Sequence, residues 1–320
     1  MRTPSISVII PLYNKAAYIE RAIRCVLEQQ PAPFEVLVID DGSTDDGPAV
    51  VRRMPEFSRV RLITQPNGGE GAARNRGLRE MRADMAAFLD ADDEWAPGHL
   101  RNLSELALTC PGAGLLATGY RSIYGRGVEV ETAVDAPGPV VLRDYFETAR
   151  GGFCLHISSC AVWRSVAMEA GGFAEGEPMG ADLEFFARIA LRRPVALHPA
   201  ISGIYYAACA GSAIHTNRWK DQYPPVVRLL RAATAATARA YADWILAEHA
   251  LTGLCSGNRR AAMAMLRLLP ARSAWWLRAA AAVLPIAMLR LLVRIRRSRF
   301  AVARMPGTNS VTNRVIYSHA

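Results

Sequence analysis

The sequence predicts an α/β fold with a mainly parallel central sheet, followed by a helical C-terminal region. Short apolar runs rich in β-branched residues begin roughly 25–30 residues apart in the first part of the chain, the length of one strand–helix unit. Amphipathic stretches lie between them, and strands that alternate with helices form parallel sheets covered on both faces. A composition of 51% hydrophobic and 21% charged residues over 320 positions excludes a disordered chain.

In the first half of the chain, predicted strands and helices alternate along the sequence. Four strands are expected at Ile6–Ile10, Val36–Ile39, Val60–Ile63 and Met85–Leu89. Three helices are expected at Tyr18–Glu28, Gly71–Met81 and His99–Thr109. The first of these carries its apolar residues on one helical face, which would cover the sheet.

The second half has a different pattern. Arg121–Pro139 is rich in glycine and proline and is expected to form a loop or a short hairpin. Ile157–Trp163 predicts a strand and Ala181–Leu191 a helix, while Val195–Tyr206 contains strand-like pieces. Residues 223–300 are almost continuously helical in pattern, and the end of the chain is polar.

Charge and cysteine content exclude several classes of protein. The formal net charge is +9, but residues 249–320 hold 12 arginines and no Asp, Glu or Lys, so the rest of the chain is slightly acidic. A nucleic-acid partner is therefore not expected. The six scattered cysteines contain no C-x-x-C pair, which argues against a disulfide scaffold or zinc finger and indicates a cytoplasmic protein. The apolar run near the N-terminus is too short for a signal-peptide core.

Polar residues follow each of the four expected strands, where parallel sheets bind ligands. The fourth strand is followed by Asp90-Ala91-Asp92-Asp93. Carboxylates at positions i and i+2 of a tight turn can both bind one hard cation. Oxygen ligands suit Mg²⁺ or Mn²⁺. The alternative is a solvated acidic turn or a helix cap.

The ends of the first and second strands are candidates for nucleotide binding. Asp41, in Asp40-Asp41-Gly42-Ser43-Thr44-Asp45, could accept a hydrogen bond from a base N–H or a ribose hydroxyl. Turn and cap chemistry explains most of Ser43–Asp45. Tyr13 could stack on a base, although a single loop aromatic is more often packed against the protein.

Two helix starts carry weaker signals. Gly68-Gly69-Glu70-Gly71 opens a helix with Arg74 and Arg76, which favours anions, but it matches neither a dinucleotide fingerprint nor a P-loop. Asp182 and Glu184 begin another helix. Either carboxylate could be a general base for an acceptor hydroxyl, or both could simply interact with the helix dipole.

Together these motifs resemble the family 2 glycosyltransferases of the GT-A fold. The resemblance runs from about Ser5 to Ser212 and is carried, in family order, by SVIIPLYNKAAYIERAIRCVL, VLVIDDGSTDDG, GGEGAARNRGL, FLDADDEW, SSCAVWRSVAMEAGGF, GADLEFFARIAL and GSAIH. It implies a GT-A nucleotide-sugar-binding domain over residues 1–220. The implied reaction is the transfer of a sugar, with inversion, from a nucleotide-diphosphate donor to a hydroxyl of a glycan or lipid-linked acceptor. Among the nucleotide sugars, a UDP-sugar is the expected donor. The implied cofactor is Mn²⁺ or Mg²⁺, and the expected pathway is surface polysaccharide synthesis.

Carried over by position, the resemblance gives each motif residue a role. Asp182 would be the catalytic base. The nucleotide-binding residues would be Pro11, Tyr13, Asp41, Arg74, Asp90 and Ala91, and the metal would be held by Asp92, with Asp90 and Asp93. The chain departs from the family in two places. Ala181 replaces a usual glutamate, and residues 207–212 lack the usual Arg-His stretch, for which His215 or Arg218 could substitute.

Two other functions fit the sequence less well. A sugar-phosphate nucleotidyltransferase would need a glycine-rich phosphate loop after the first strand, where this chain has Pro11-Leu12-Tyr13-Asn14-Lys15. A non-catalytic, membrane-associated scaffold would have no need for the carboxylates at positions 41, 90, 92 and 182.

The C-terminal region predicts contact with a membrane surface. Residues 221–305 are helical and arginine-rich, and residues 306–320 are expected to be a loose tail. The longest charge-free run, Ala279–Leu289, is far shorter than the roughly 20 residues that span a bilayer. Trp275, Trp276 and the arginines of residues 261–300 suit an anionic surface, so we expect a peripheral protein at the inner face of the cell membrane. The alternative is a helical subdomain that packs on the first domain.

Overall fold

The first half of the central sheet is parallel. The computed structural model describes residues 2–124, 128–150, 152, 155–176, 180–207, 225–255, 258–270 and 311–317. Its first four strands lie in the spatial order β4-β1-β2-β3. Their bounds are Ile6–Leu12 (β1), Glu35–Asp40 (β2), Val60–Thr64 (β3) and Met85–Phe88 (β4). All neighbouring pairs among them are parallel, so their carboxyl ends share one edge.

Helices cover both faces of these strands, as the sequence predicts. Their bounds are Ile19–Leu27 (α1), Gly47–Arg53 (α2), Glu70–Glu80 (α3) and His99–Thr109 (α4). Alternate residues of β1 point to opposite faces: Ile9 joins one apolar cluster, whereas Val8 and Ile10 join the other. Helix α3 reaches the sheet closely because Gly77 has no side chain, and a Cβ there would lie 2.4 Å from Ile9.

The second half of the sheet is mixed. Its strands are Glu94–Trp95 (β5), Leu115–Tyr124 (β6), Val128–Val134 (β7), Val140–Val141 (β8), Cys160–Trp163 (β9) and Val195–Tyr206 (β10). Strand β9 is antiparallel to both β4 and β6, whereas β10 runs parallel to β6. Strands β6 and β7 form a hairpin, which is one of the two expectations for Arg121–Pro139. The helices of this half are Tyr145–Ala149 (α5), Arg164–Glu169 (α6) and Ala181–Ala190 (α7).

The C-terminal helices share the core of the first domain. They are Pro225–Arg231 (α8), Ala236–Cys255 (α9) and Arg259–Leu268 (α10). Tyr241 of α9 is fully buried, with its ring centroid 6.2 Å from that of Tyr145 and 6.0 Å from that of Phe146 in α5. The expected boundary at residue 220 therefore does not separate two apolar cores, because one cluster runs from α5 and α7 into α8–α10.

The expectation of a loose tail over residues 306–320 is wrong for its central part. Val311–Tyr317 forms a strand, β11, that pairs antiparallel with β7 along its whole length. The physical reason is that β7 would otherwise be an open edge, and a segment with β-branched residues at 311, 315 and 316 suits that edge. Within the described ranges no helix is both long and apolar enough to cross a membrane. The expected membrane-binding segment 261–300 lies outside the described residues from position 271 onward.

Candidate active site

The loops after the four parallel strands meet at one edge of the sheet. Direct hydrogen bonds or ion pairs join loops that are distant in sequence. These contacts are Asn14–Thr44 at 2.8 Å, Asp41–Gly68 at 2.9 Å, Arg74–Asp90 at 2.7 Å and Lys15–Asp92 at 2.5 Å. The motif residues of the first 95 positions therefore belong to one cluster, as expected for the carboxyl edge of a parallel sheet.

Asp41 shapes the loop that leads into α3. Its carboxylate is 2% exposed and accepts hydrogen bonds from Gln65 Nε2 at 2.7 Å and from the backbone N–H groups of Gly68 and Gly69 at 2.9 and 2.8 Å. A carboxylate offers about four acceptor positions, so roughly one is left for a ligand. The nucleotide contact of Asp41 stays a prediction.

The other residues assigned to the nucleotide differ in exposure. Tyr13 is 43% exposed, which leaves its ring accessible to a flat ligand. Pro11 and Ala91 are buried at the ends of their segments. Of these three, only Tyr13 presents its side chain to solvent.

Arg74 is a buried partner of Asp90. Its side chain is 2% exposed, and Nη2 donates to Asp90 Oδ1 at 2.7 Å and to Glu70 Oε2 at 3.3 Å. Burial would lower the pKa of Arg74, but the charges of Asp90 and Glu70 outweigh it and raise that pKa above its ordinary value. The guanidinium is therefore a permanent positive charge behind the acidic turn.

Asp92 binds a second cation supplied by the protein. Lys15 Nζ lies 2.5 Å from Asp92 Oδ2, and the two side chains are only 15% and 16% exposed. The backbone carbonyl of Asp92 accepts a hydrogen bond from Arg21 Nη2 at 2.7 Å. Arg21 in turn forms an ion pair with Glu94 and stacks over the ring of Tyr206. The backbone of the acidic turn is thus tied to α1.

Asp93 points into the protein. Its carboxylate is 1% exposed and accepts from Ser158 Oγ at 2.5 Å and from the backbone N–H of Tyr206 at 3.1 Å. Burial, helped by the charges of Asp90 and Asp92, raises the pKa of Asp93 well above its usual range. Asp93 therefore links the acidic turn to the end of β10, and its contact with a metal stays a prediction.

The Asp90–Asp92 pair fits a divalent cation. Both carboxylates are partly exposed on one turn, and each pairs with one positive group of the protein, so a divalent cation would have to share them with Lys15 and Arg74. Mg²⁺ and Mn²⁺ bind through one or two carboxylates and complete their shell with substrate phosphates. In the part of the chain that the structure describes, no group of three or more His, Cys, Asp or Glu converges on one point.

Asp182 lies in the first turn of α7. Its charge acts to raise the pKa of both Arg74 and His156, which places it within electrostatic range of them. Its Oδ1 accepts the N–H of Leu183 at 2.8 Å. Glu184, the other candidate base, forms an ion pair with Arg188 at 2.6 Å. Glu184 is thus already paired within α7, and the role of Asp182 as the catalytic base stays a prediction.

Several site residues carry no clear signal in the sequence. His156 lies 3.8 Å from Asp93, its ring is tilted against that of Tyr205 with centroids 4.2 Å apart, and burial holds its pKa below the ordinary value. Ser158 Oγ accepts the backbone N–H of Asp90 at 3.1 Å. Lys15 carries a usable signal, because lysine occurs in this chain only there and at position 220. The predicted substitutes His215 and Arg218 lie outside the described residues, as do residues 208–212.

Comparisons with known sequences identify the first part of the chain. Residues 7–133 match the model of the family described as glycosyl transferase family 2. An uncharacterized glycosyltransferase, alr2836 of Nostoc sp., is 40% identical over 113 residues, which cover 35% of each chain. The succinoglycan biosynthesis protein ExoO of Rhizobium meliloti is 41% identical over 107 residues, covering 33% of this chain and 30% of ExoO. The aligned part thus spans about a third of the length of these two relatives.

Solved structures share the fold over almost the whole chain. S. aureus TarS 1-349, in complex with UDP-GlcNAc, aligns with a TM-score of 0.66 at 19% identity, covering 98% of this chain and 97% of that one. The mannosyltransferase PcManGT of Pyrobaculum calidifontis, in complex with GDP-Man and Mn²⁺, aligns with a TM-score of 0.56 at 24% identity, covering 93% and 81%. Residues 7–133 of the chain therefore match the glycosyl transferase family 2, and the chain as a whole shares the GT-A fold of these solved structures.

Proposed function

We propose that this protein transfers a sugar from a nucleotide-diphosphate donor to a hydroxyl group of an acceptor, with inversion at the anomeric carbon. The observation that carries this proposal is the arrangement of Asp90, Asp92 and Asp182 around one site that also contains Lys15 and Arg74. Such a site combines carboxylates for a cation and a base with positive charge for a diphosphate. The complexes of TarS with UDP-GlcNAc and of PcManGT with GDP-Man support the donor class.

The nucleotide would lie over the ends of β1 and β2. The exposed ring of Tyr13 suits stacking on a base, and the last acceptor position of Asp41 suits a base N–H or a ribose hydroxyl. The carboxylate of Asp41 is already held in place by three hydrogen bonds, so it needs little ordering when the donor binds.

Asp92, with Asp90, would hold Mn²⁺ or Mg²⁺. When bound, the cation would neutralise the negative charge that develops on the departing diphosphate. Arg74 keeps Asp90 in place and balances its charge from behind. Ser158 fixes the same turn through the backbone N–H of Asp90 and the carboxylate of Asp93.

Asp182 would take the proton of the attacking acceptor hydroxyl. Asp182 lies in the first turn of α7, and a carboxylate that acts as a general base must be within reach of the acceptor hydroxyl. Attack from the face opposite the diphosphate forms the new glycosidic bond as the old bond to the diphosphate breaks. This single displacement inverts the anomeric configuration, and the base contributes about 10²–10⁴-fold.

The acceptor is proposed to be a glycan or lipid-linked sugar of a surface polysaccharide. The name of the relative ExoO, a succinoglycan biosynthesis protein, supports that pathway. The arginine-rich residues 261–300 support peripheral binding at the inner face of the cell membrane, beside a lipid-linked acceptor. Co-sedimentation with anionic vesicles, compared with neutral vesicles, tests this part; equal recovery with both lipids would contradict it.

A donor panel tests the proposed reaction. The full chain is incubated with UDP- and GDP-sugars, Mn²⁺ and a mixture of glycan acceptors, and released nucleoside diphosphate is measured. Nucleoside diphosphate release that stops in EDTA is expected. Pyrophosphate chemistry would indicate a nucleotidyltransferase instead, and no turnover with any donor would favour a scaffold.

A further inference from the structure

We propose that Lys15 is an exchangeable cation, which pairs with Asp92 and moves to the donor diphosphate when a divalent cation binds Asp92. This inference rests on the proposed function, because it concerns the same metal and donor. It assigns to Lys15 a role in coupling the binding of the metal to the binding of the nucleotide.

The Lys15–Asp92 contact occupies an oxygen that a metal would need. Nζ lies 2.5 Å from Oδ2, and both side chains are about five-sixths buried. The ammonium group of Lys15 and a metal ion bound to the same carboxylate would repel each other strongly, because little water screens charges in a buried site. Lys15 and a divalent cation therefore compete for Asp92.

Of the two protein cations that pair with the carboxylates of Asp90 and Asp92, Lys15 is the one that can move. Arg74 is 2% exposed and is held by both Asp90 and Glu70. The backbone of Lys15 is fixed, since its carbonyl accepts the N–H groups of Tyr18 and Ile19 at 3.0 Å each. Its four-carbon stem is nevertheless flexible, so the ammonium group can change partners while α1 stays in place.

The choice of lysine fits this role. Of 38 basic residues, only those at positions 15 and 220 are lysine, and all others are arginine. An arginine would hold a carboxylate through a rigid fork of two parallel hydrogen bonds, whereas a lysine is a compact point charge. A point charge can leave a carboxylate for a diphosphate oxygen without breaking a planar, two-bond geometry.

Exchange has a measurable thermodynamic consequence. Without a nucleotide, Lys15 weakens the binding of a metal to Asp92, because the metal must displace it. With a diphosphate present, the displaced ammonium group gains a new anionic partner and the metal gains phosphate oxygens. Metal and nucleotide therefore strengthen each other's binding, and the coupling is reciprocal.

The test compares Lys15→Met with wild-type full-length protein by calorimetry. Two affinities are measured: that of Mn²⁺ alone, and that of UDP or GDP in saturating Mn²⁺. We expect Lys15→Met to bind Mn²⁺ alone at least roughly tenfold more tightly, since the competitor is gone. We expect it to bind the nucleotide at least roughly tenfold more weakly, since a diphosphate contact is gone.

Arg24→Met is the matched control. It also removes one positive charge from the start of the chain, but Arg24 is 45% exposed and pairs with Glu20 and Glu56 rather than with the acidic turn. Neither affinity should change by more than about twofold in this variant. Equal shifts in both variants would mean that net charge, and not Lys15, is responsible.

The test is decisive because Lys15→Met should strengthen the binding of Mn²⁺ alone and weaken the binding of nucleotide in Mn²⁺. A purely structural role for Lys15 would weaken both affinities, and an unchanged affinity for Mn²⁺ alone would also overturn the exchange. If Lys15→Met does not fold, Lys15→Gln is measured in its place with the same expectations. If the wild-type protein binds no nucleotide in Mn²⁺, the proposed function fails as well; if it binds normally and only the variant shifts are absent, the exchange alone is wrong.

Discussion

Ser158 holds the acidic turn through three hydrogen bonds. Its hydroxyl donates to Asp93 Oδ2 and accepts the N–H of Asp90, and its carbonyl accepts from Trp95 Nε1. We predict that Ser158→Ala lowers the free energy of unfolding by about 1–3 kcal/mol, because two buried polar groups lose their partner. We also predict weaker binding of nucleoside diphosphate in Mn²⁺, measured by calorimetry.

Ser104→Ala is the control for this prediction. Ser104 is likewise buried, but its hydroxyl only donates to the carbonyl of Leu100 within α4. Its loss should leave nucleotide affinity unchanged and should cost less stability, since that carbonyl can also accept a helical hydrogen bond. Equal effects on nucleotide affinity in the two variants would contradict the role of Ser158.

For single residues of the site, the sequence predicts the acidic residues better than it predicts their hydrogen-bond and ion-pair partners. Asp41, Asp90 and Asp92 follow apolar runs directly, so their place at the sheet edge could be inferred from position alone. Lys15 and Ser158 could not be assigned in the same way, because each reaches the turn from a loop more than 60 residues away. Which side chains contact the acidic turn depends on how the loops pack, and no local sequence pattern predicts loop packing.

His99, at the start of α4, connects that helix to β10 and reports on their packing. Its ring is fully buried, stacks on Trp95 with centroids 4.2 Å apart, and has Nδ1 2.9 Å from Ser202 Oγ. Burial lowers the pKa of His99 to about 3. Since an unfolded histidine titrates near 6.5, the unfolded state binds the extra proton between about pH 6.5 and pH 3.

Stability is therefore predicted to fall as the pH is lowered through that window. The contribution of His99 is fully present above about pH 6.5 and is lost at up to about 1.4 kcal/mol per pH unit below it. Urea unfolding from pH 7 to pH 5 should be less pH-dependent in His99→Gln than in the wild-type protein. Parallel curves for the two proteins would mean that His99 is not the group that titrates.

The four parallel strands and helices α1, α3 and α4 match the sequence prediction to within a few residues, whereas α2 and β5 are not predicted. The sequence places α4 at His99–Thr109, and the structure has the same bounds. The prediction succeeds there because each element buries one continuous apolar pattern. It fails for β11, whose pairing depends on the free edge of β7, nearly 180 residues earlier in the chain.

The whole molecule is expected to unfold as one unit. Tyr241 joins α9 to α5 in the core that also holds α7, the helix of Asp182. We predict that Tyr241→Ala costs about 3–5 kcal/mol and leaves a single unfolding transition. Leu268→Ala, at a 40% exposed position of the same helical region, should cost far less.

Two probes measure this prediction. Tryptophan fluorescence follows the packing of the core, and the loss of nucleotide binding follows the site. Coincident urea transitions are expected, whereas separate transitions would mean that the C-terminal helices fold independently. Composition alone suggests a boundary near residue 220, because it cannot reveal that Tyr241 packs against α5.

The central claim is that Asp182 is the base of a metal-dependent sugar transfer, and Asp182→Asn tests it most directly. With the donor identified by the panel, calorimetry measures donor binding in Mn²⁺ and product formation measures transfer. Glu184→Gln is the control, since that carboxylate lies on the same helix but pairs with Arg188. The account predicts that Asp182→Asn keeps donor affinity within about threefold while transfer falls by about 10²-fold or more, and that Glu184→Gln keeps both. Transfer that persists within a few-fold in Asp182→Asn would contradict it.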